Sequence, residues 1–281
     1  MKITVLIENT TRSDLVSEHG LSLLIEFEGK KYLLDAGNTG IFLQNVKAMQ
    51  LSLADVECAV LSHGHYDHAG GFGVFLEEHP SVKVYGMKDI KEEYYSGSGG
   101  AIHAIGVPKE VLPKHEDNFI FIEKVTKLAE HIYLVPHSTT GLEAIGERTK
   151  LYRKQNNEYV PDNFSHELSL VFEMKEGLFI FNSCSHGGIR NIIEEVKAVF
   201  PEQKIYAFCG GLHMKGTKDG VEYCTFSKDE VKEIAEYLKQ EGLNRLYTGH
   251  CTGAPGFALL KEFMGEQVED LYTGKEISIG N

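Results

Sequence analysis

The chain has 281 residues, of which 42% are hydrophobic and 25% charged, with a formal net charge of −13. That length provides a sizeable core as one large domain or two small ones, and the acidic balance excludes a broad nucleic-acid-binding face, which needs basic surface. No apolar run approaches the roughly 18 residues of a membrane span, and the five cysteines, Cys58, Cys184, Cys209, Cys224 and Cys251, are an odd, scattered set that reads as free thiols in a reducing cytoplasm.

In chain order, MKITVLIENT reads as a first strand and not as a secretory leader, because polar residues interrupt it early. LSLLIEFEG and KYLLDAG follow as strands, IFLQNVKAMQL as a helix with Ile41, Phe42, Val46 and Met49 on one side, and VECAVLS as a buried strand. GVFLEEHP is part of a helix that Pro80 ends, and VKVYG is another strand. From about 87 to 165 the pattern loosens into YYSGSGGA, GVPKEVLPKHEDN and ERTKLYRKQNNEYVPDN, with strands only near FIFI and HIYLVP. This segment reads as an inserted lid with a glycine-rich neck, within a single domain spanning 1–281.

Alternation then resumes through ELSLVFEM, GLFIFNS, the helix IRNIIEEVKAVF stopped by Pro201, and the strand KIYAFCGG. In SKDEVKEIAEYLKQEG, Ser227 and Glu230 form a capping box, Val231, Ile234, Ala235 and Leu238 make an inner face, and Gly242 ends the helix. NRLYTGH reads as the last strand, and Pro255 opens the helix PGFALLKEFM. Strands separated by helices predict an α/β architecture with helices outside packed sheets.

The chemistry concentrates in VLSHGHYDHAGG, residues 60 to 71. His63 and His65 alternate along extended backbone at a strand end, while Asp67 and His68 begin the next helix, so two pairs of ligands converge from different directions. Gly64 keeps the turn open, and Gly70 and Gly71 permit close backbone approach. Neutral imidazoles and a carboxylate suit zinc, iron or manganese. A motif this short offers too few ligands for two metals, which predicts further histidines at later strand ends. FIFNSCSHGG, AFCGGLH and LYTGHCTG supply His186, His213 and His250. His186 and His250 read as ligands, whereas His213 is open between ligand, substrate contact and structure. His79, His115 and His131 lack this context and read as surface or structural residues.

SHGHYDH, with LLDAG upstream and TGH downstream, resembles the metallo-β-lactamase fold superfamily. EHGLSLLIE, SHGHYDHAGG, DNFSHELSL, CSHGGIRNI, GGLH and GHCTG resemble one branch in particular. That branch holds dihydropterin-ribofuranosylaminobenzene-phosphate synthase and related bacterial metal-dependent hydrolases. The resemblance implies a four-layer αββα sandwich with the lid inserted and a metal site along one edge. It implies two divalent cations, zinc first, with manganese or iron as alternatives. His63, His65 and His186 would hold one, and Asp67, His68 and His250 the other, with Asp67 also carrying catalysis. Asp35 would orient ligands from behind. Many superfamily hydrolases place a metal-bridging aspartate where this chain reads NSCSH. Here Cys184 reads as a small buried residue ahead of a soft ligand, and His166 ranks below His186 as a third histidine ligand.

The function this implies is a metal-dependent hydrolase acting on a small phosphorylated, anionic substrate. The alternative is a transferase joining a pterin diphosphate to an arylamine ribose phosphate. A metal staple or sensor without catalysis is the rival of another class, set against it by six convergent candidates where a staple needs four ligands. An oxygen- or nitric-oxide-reducing di-iron protein would offer glutamate at His65 and a flavin domain for which the chain has no room. His19, and His213 with Lys215, are candidates to meet the anion. SGSGG at 96–100 reads as a flexible neck before a phosphate cradle, and Tyr94 and Tyr95 as packing residues. Neither nucleic acid nor membrane is expected as a partner, and a homo-oligomer is left open.

Overall fold

Alternation along the strands becomes two faces of a sheet. In the computed structural model, which describes residues 1–280, β1 (Lys2–Ile7), β2 (Ser22–Phe27) and β3 (Lys30–Leu34) form an antiparallel meander. α1 (Phe42–Ala48) crosses over to β4 (Val56–Val60), which lies parallel to β3. α2 (Tyr66–Ala69) and α3 (Phe72–Glu78) lead to the parallel strand β5 (Val84–Met87).

Next come β6 (Tyr94–Ser96), β7 (His103–Ala104), β8 (Phe119–Ile122), β9 (Thr126–Ala129) and β10 (Ile132–Pro136). They are followed by α4 (Glu143–Thr149), β11 (Leu151–Gln155), β12 (Glu158–Pro161), β13 (Leu168–Met174) and β14 (Gly177–Phe181). α5 (Ile189–Val199), β15 (Ile205–Cys209), the hairpin β16 (Lys215–Lys218) and β17 (Val221–Cys224), and α6 (Lys228–Gln240) continue the chain. It closes with β18 (Arg245–Thr248), α7 (Gly253–Met264), β19 (Val268–Asp270) and β20 (Glu276–Ser278). The domain range read from the sequence ends on Asn281, which lies outside the described residues.

Two seven-stranded sheets result, in the orders β20-β1-β2-β3-β4-β5-β8 and β19-β18-β15-β14-β13-β10-β9. Their inner faces meet through Phe27 and Tyr32 against Phe172, which in turn packs on Phe181. Along β14, Phe179 and Phe181 join this inner core, whereas Leu178 and Ile180 turn outward to Ile192, Val196, Val231 and Leu238 of α5 and α6. Each phenylalanine buried this way contributes about 1.5–3 kcal/mol. α1 and α3 cover the other sheet, giving the four αββα layers expected. The capping box forms as read: Ser227 Oγ accepts from the Glu230 amide, and the Glu230 carboxylate accepts from the Ser227 amide. Among the described residues no helix is long and apolar enough to cross a membrane.

The structure differs from the sequence reading at two places. The segment 87–165 is not one inserted piece. β8 joins the first sheet, and β9 and β10 join the second, while β6, β7, β11 and β12 make a separate four-stranded sheet. FIFI and IYLVP are therefore framework strands. The Arg245–Thr248 strand is also not the last, since β19 and β20 edge the two sheets. Three-residue strands are too short to display an alternation, so nothing in the sequence announces them.

Candidate metal centre

β3 and β4 run parallel to each other, as do β14, β15 and β18, and these strands stop at one rim. Asp35, His63, His186, His213 and His250 follow those ends in that order. Asp35, Ser185, His213 and His250 all adopt positive φ, between 48° and 58°. Such a conformation is costly outside glycine and persists where surrounding structure enforces it. Backbone segments also approach closely beside these residues: a Cβ at Gly70 would lie 1.9 Å from the Asn38 carbonyl oxygen, and one at Gly71 2.0 Å from that of Ala36.

Asp35 is fully buried and organises the rim. Its Oδ1 accepts from the Ser62 amide at 2.7 Å. Its Oδ2 accepts from the hydroxyls of Ser62 at 2.7 Å and Ser183 at 2.6 Å, and meets His68 Nδ1 at 2.7 Å. With its proton directed to Asp35, Ser62 Oγ is left to accept from His63 Nδ1, 2.8 Å away. Both imidazoles are thereby held through Nδ1 and aim Nε2 inward, the nitrogen left for a cation. The Asn9 Oδ1 contact to His250 Nδ1, at 3.1 Å, imposes the same orientation there, and the Glu8 carboxylate anchors the His250 amide at 2.6 Å.

The inward nitrogens meet. His63 Nε2 lies 3.3 Å from His186 Nε2, and His63, His65 and His186 each offer a ring nitrogen within 4.8 Å of the others. His68 Nε2 lies 3.1 Å from His250 Nε2, with Asp67 Oδ2 at 3.6 and 3.3 Å from the two. All six of these residues are buried. Burial and the neighbouring imidazoles push His63 and His186 well below the usual histidine range and His65 down to about 3, which keeps them neutral. Burial also opposes charge on His68 and Asp67. The carboxylates of Asp67 and Asp35 nevertheless lift His68 to about 9, and His68, His250 and His19 hold Asp67 well below the carboxylate range.

The donor set fits divalent cations. His65 Nε2 and His186 Nδ1 are buried without a hydrogen-bond partner, and a polar atom left that way costs about 1–3 kcal/mol. Neutral imidazoles with a carboxylate are the ligands zinc, iron and manganese take.

The remaining candidates fall around this cluster. His19 Nε2 lies 3.3 Å from Asp67 Oδ2 and its ring stacks on His250, while its side chain stays half exposed. His213 packs its ring 4.4 Å from that of His186, with Nδ1 buried and unpartnered. Cys184 Sγ lies 3.3 Å from His68 Nε2. Lys215 pairs with Glu222 at 2.8 Å. With His19, His250 and Phe257 it lines a cavity of about 510 Å3 that opens beside the cluster.

His166 has neither nitrogen free. Nδ1 accepts from the Gly64 amide at 2.9 Å, which leaves Nε2–H to donate to Asp162 at 3.0 Å. It fixes the backbone between His63 and His65. Tyr94 is buried against the His166 ring, Tyr95 packs on Tyr159, and SGSGG turns the hairpin from β6 to β7. The sequence reading missed His137, which bridges Glu167 at 2.6 Å and Glu195 at 2.7 Å behind the His186 loop. Glu167 in turn accepts from the His186 and Gly187 amides. The signal was there, since VPH is another apolar strand ending in histidine.

The sequence profile of the metallo-β-lactamase superfamily matches residues 17–149. The chain is 26% identical over 275 residues to 7,8-dihydropterin-6-methyl-4-(β-D-ribofuranosyl)-aminobenzene-5′-phosphate synthase of Methanocaldococcus jannaschii, covering 93% of this chain and 90% of that one. It is 28% identical to a second, uncharacterised protein of that organism, covering 92% and 94%. Among solved structures it resembles Tm1679, a metal-dependent hydrolase of the β-lactamase superfamily, with a TM-score of 0.82 and 27% identity over 100% of both chains.

Proposed function

Because the chain belongs to the metallo-β-lactamase superfamily, we propose that it is a metal-dependent hydrolase acting on a small phosphorylated compound through two divalent cations. It is an enzyme, by kinship along nearly its whole length with a named synthase and a named hydrolase. The observation that carries the hydrolase reading is the meeting of inward-facing imidazole nitrogens, His63 against His186 and His68 against His250, at 3.3 and 3.1 Å beside an open cavity.

His63, His65 and His186 would hold one cation, and Asp67, His68 and His250 the other. Such cations supply Lewis acidity, polarising a phosphoryl oxygen and making water nucleophilic near neutral pH. The protein's own groups do the positioning. Asp35, through Ser62 and directly, keeps His63 and His68 in the tautomer that can ligate. Lys215 and His19, on the wall of the cavity, bind the anionic part of the substrate. His213 stands beside His186, where it can contact the reacting group. Five free thiols favour a reducing, cytoplasmic setting.

A second reading is a transferase that condenses a pterin diphosphate with an arylamine ribose phosphate, favoured by the 26% identity to the Methanocaldococcus jannaschii synthase. The same cations would then neutralise a leaving diphosphate. Protein supplied with zinc, manganese or iron is to be assayed on phosphodiesters, phosphomonoesters, lactones and pterin diphosphates. Release of alcohol or phosphate in water supports the hydrolase. Diphosphate release that depends on the arylamine moves the assignment to the transferase, and no turnover on any substrate counts against both.

A further inference from the structure

Two of the five cysteines stand inside the cation site. Cys184 follows β14 in NSCSH and is 3% exposed, and its Sγ lies 3.3 Å from His68 Nε2. Cys251 follows His250 directly. The sulfurs of Cys184 and Cys251 and a ring nitrogen of His250 all lie within 4.8 Å of one another, and Cys184 forms a second such group with His63 and His68. The backbone makes room for this sulfur. A Cβ at Gly211 would lie 2.3 Å from Cys251 Sγ, so only glycine leaves the thiol its place. Cys251 Sγ also accepts from the His213 amide at 3.3 Å and lies 3.5 Å from the Cys184 carbonyl oxygen, to which its thiol donates. The other three thiols are elsewhere: Cys58 and Cys209 in the core between the sheets, Cys224 on the β16–β17 hairpin.

We propose that Cys184 and Cys251 are sulfur ligands of the second cation, beside His68 and His250. Each thiol loses its proton to solvent as its sulfur–metal bond forms. Sulfur donors change what the position selects. Thiolates favour zinc, cobalt and cadmium, whereas a position built from carboxylate and imidazole also accepts manganese. The two positions of this chain then differ in kind: an all-nitrogen position at His63, His65 and His186, and a thiophilic one behind it. The inference rests on the two-cation reading.

Cobalt(II) separates the two claims, because cobalt–thiolate bonds give an intense near-ultraviolet charge-transfer band that nitrogen and oxygen ligands lack. The protein loaded with cobalt is expected to show that band. Cys251→Ser should halve it, and Cys184→Ser combined with Cys251→Ser should abolish it. The weaker visible bands of the all-nitrogen position should persist in the double variant and report that it is folded. If the double variant does not fold, cadmium NMR of the unmutated protein decides, with one resonance in the thiolate range expected. Two bound cobalt ions with no charge-transfer band, or both cadmium resonances in the nitrogen and oxygen range, would overturn the sulfur assignment and leave the two-cation reading standing. Failure to take up cobalt or cadmium at all would overturn both.

Discussion

Asp35 Oδ2 and His68 Nδ1 lie 2.7 Å apart, both side chains wholly out of solvent, joining the end of β3 to the start of α2. The contact fixes where His68 aims its other nitrogen, so its loss acts on the metal through geometry and basicity together. Asp35→Asn keeps the size and removes the charge. Zinc affinity is expected to fall about 10–100-fold, with the melting profile at saturating zinc close to that of the unmodified protein. Titration calorimetry of the metal-free protein measures this, and unchanged affinity would detach Asp35 from the site.

Asp67 reaches His68, His250 and His19 through one carboxylate oxygen. Removing it strips the second position of its one carboxylate among the proposed ligands. Asp67→Ala should therefore hold its second metal equivalent more weakly and lose turnover, read by metal analysis of the dialysed protein alongside the activity screen. Full activity at reduced metal content would take Asp67 out of the mechanism.

His166 is expected to behave differently from the histidine it superficially matches, His186. His166→Phe leaves the Gly64 amide without its acceptor, costing about 1–3 kcal/mol of stability, but removes no ligand. At saturating zinc it should bind the same number of equivalents as the unmodified protein, with a lower urea midpoint. His186→Ala should bind fewer. A drop in stoichiometry with His166→Phe would make His166 a ligand.

The contrast marks what the chain exposes to a reader of sequence and what it hides. His63, His65, Asp67 and His68 are legible because all the information lies within six residues at a strand end. The capping box at Ser227 and Glu230 is local in the same way. His186, His137 and His166 share apolar or strand-flanking surroundings, yet one points at other imidazoles and two are engaged by carboxylates. Those carboxylates decide the matter, and for His137 they come from 30 and 58 residues away. Ser62 and Ser183 orient Asp35 through hydroxyls too common as residue types to attract notice. Nor does the spacing from Cys184 to Cys251 hint that their sulfurs meet, because β15 and α6 separate them in sequence and the parallel pairing of β14, β15 and β18 reunites them.

His137 gives a prediction in which pH has a definite sign. Burial alone would push its pKa down, but Glu167 and Glu195 outweigh that and raise it from 6.5 to about 10. Burial pushes the two carboxyls up, and His137 holds both below their usual value of 4.5. A raised imidazole contributes stability that is fully present below the unfolded value of 6.5 and is lost as pH rises through about 10. The depressed carboxylates contribute above 4.5 and lose it on acidification. The urea midpoint should accordingly fall from pH 6.5 towards 10. His137→Gln should lower the unfolding free energy most between about pH 5 and 7, by about 3–5 kcal/mol, because two buried carboxylates lose their cation. The variant should also lack the decline at alkaline pH. An equal decline in both proteins would show that the His137 bridge is not its source.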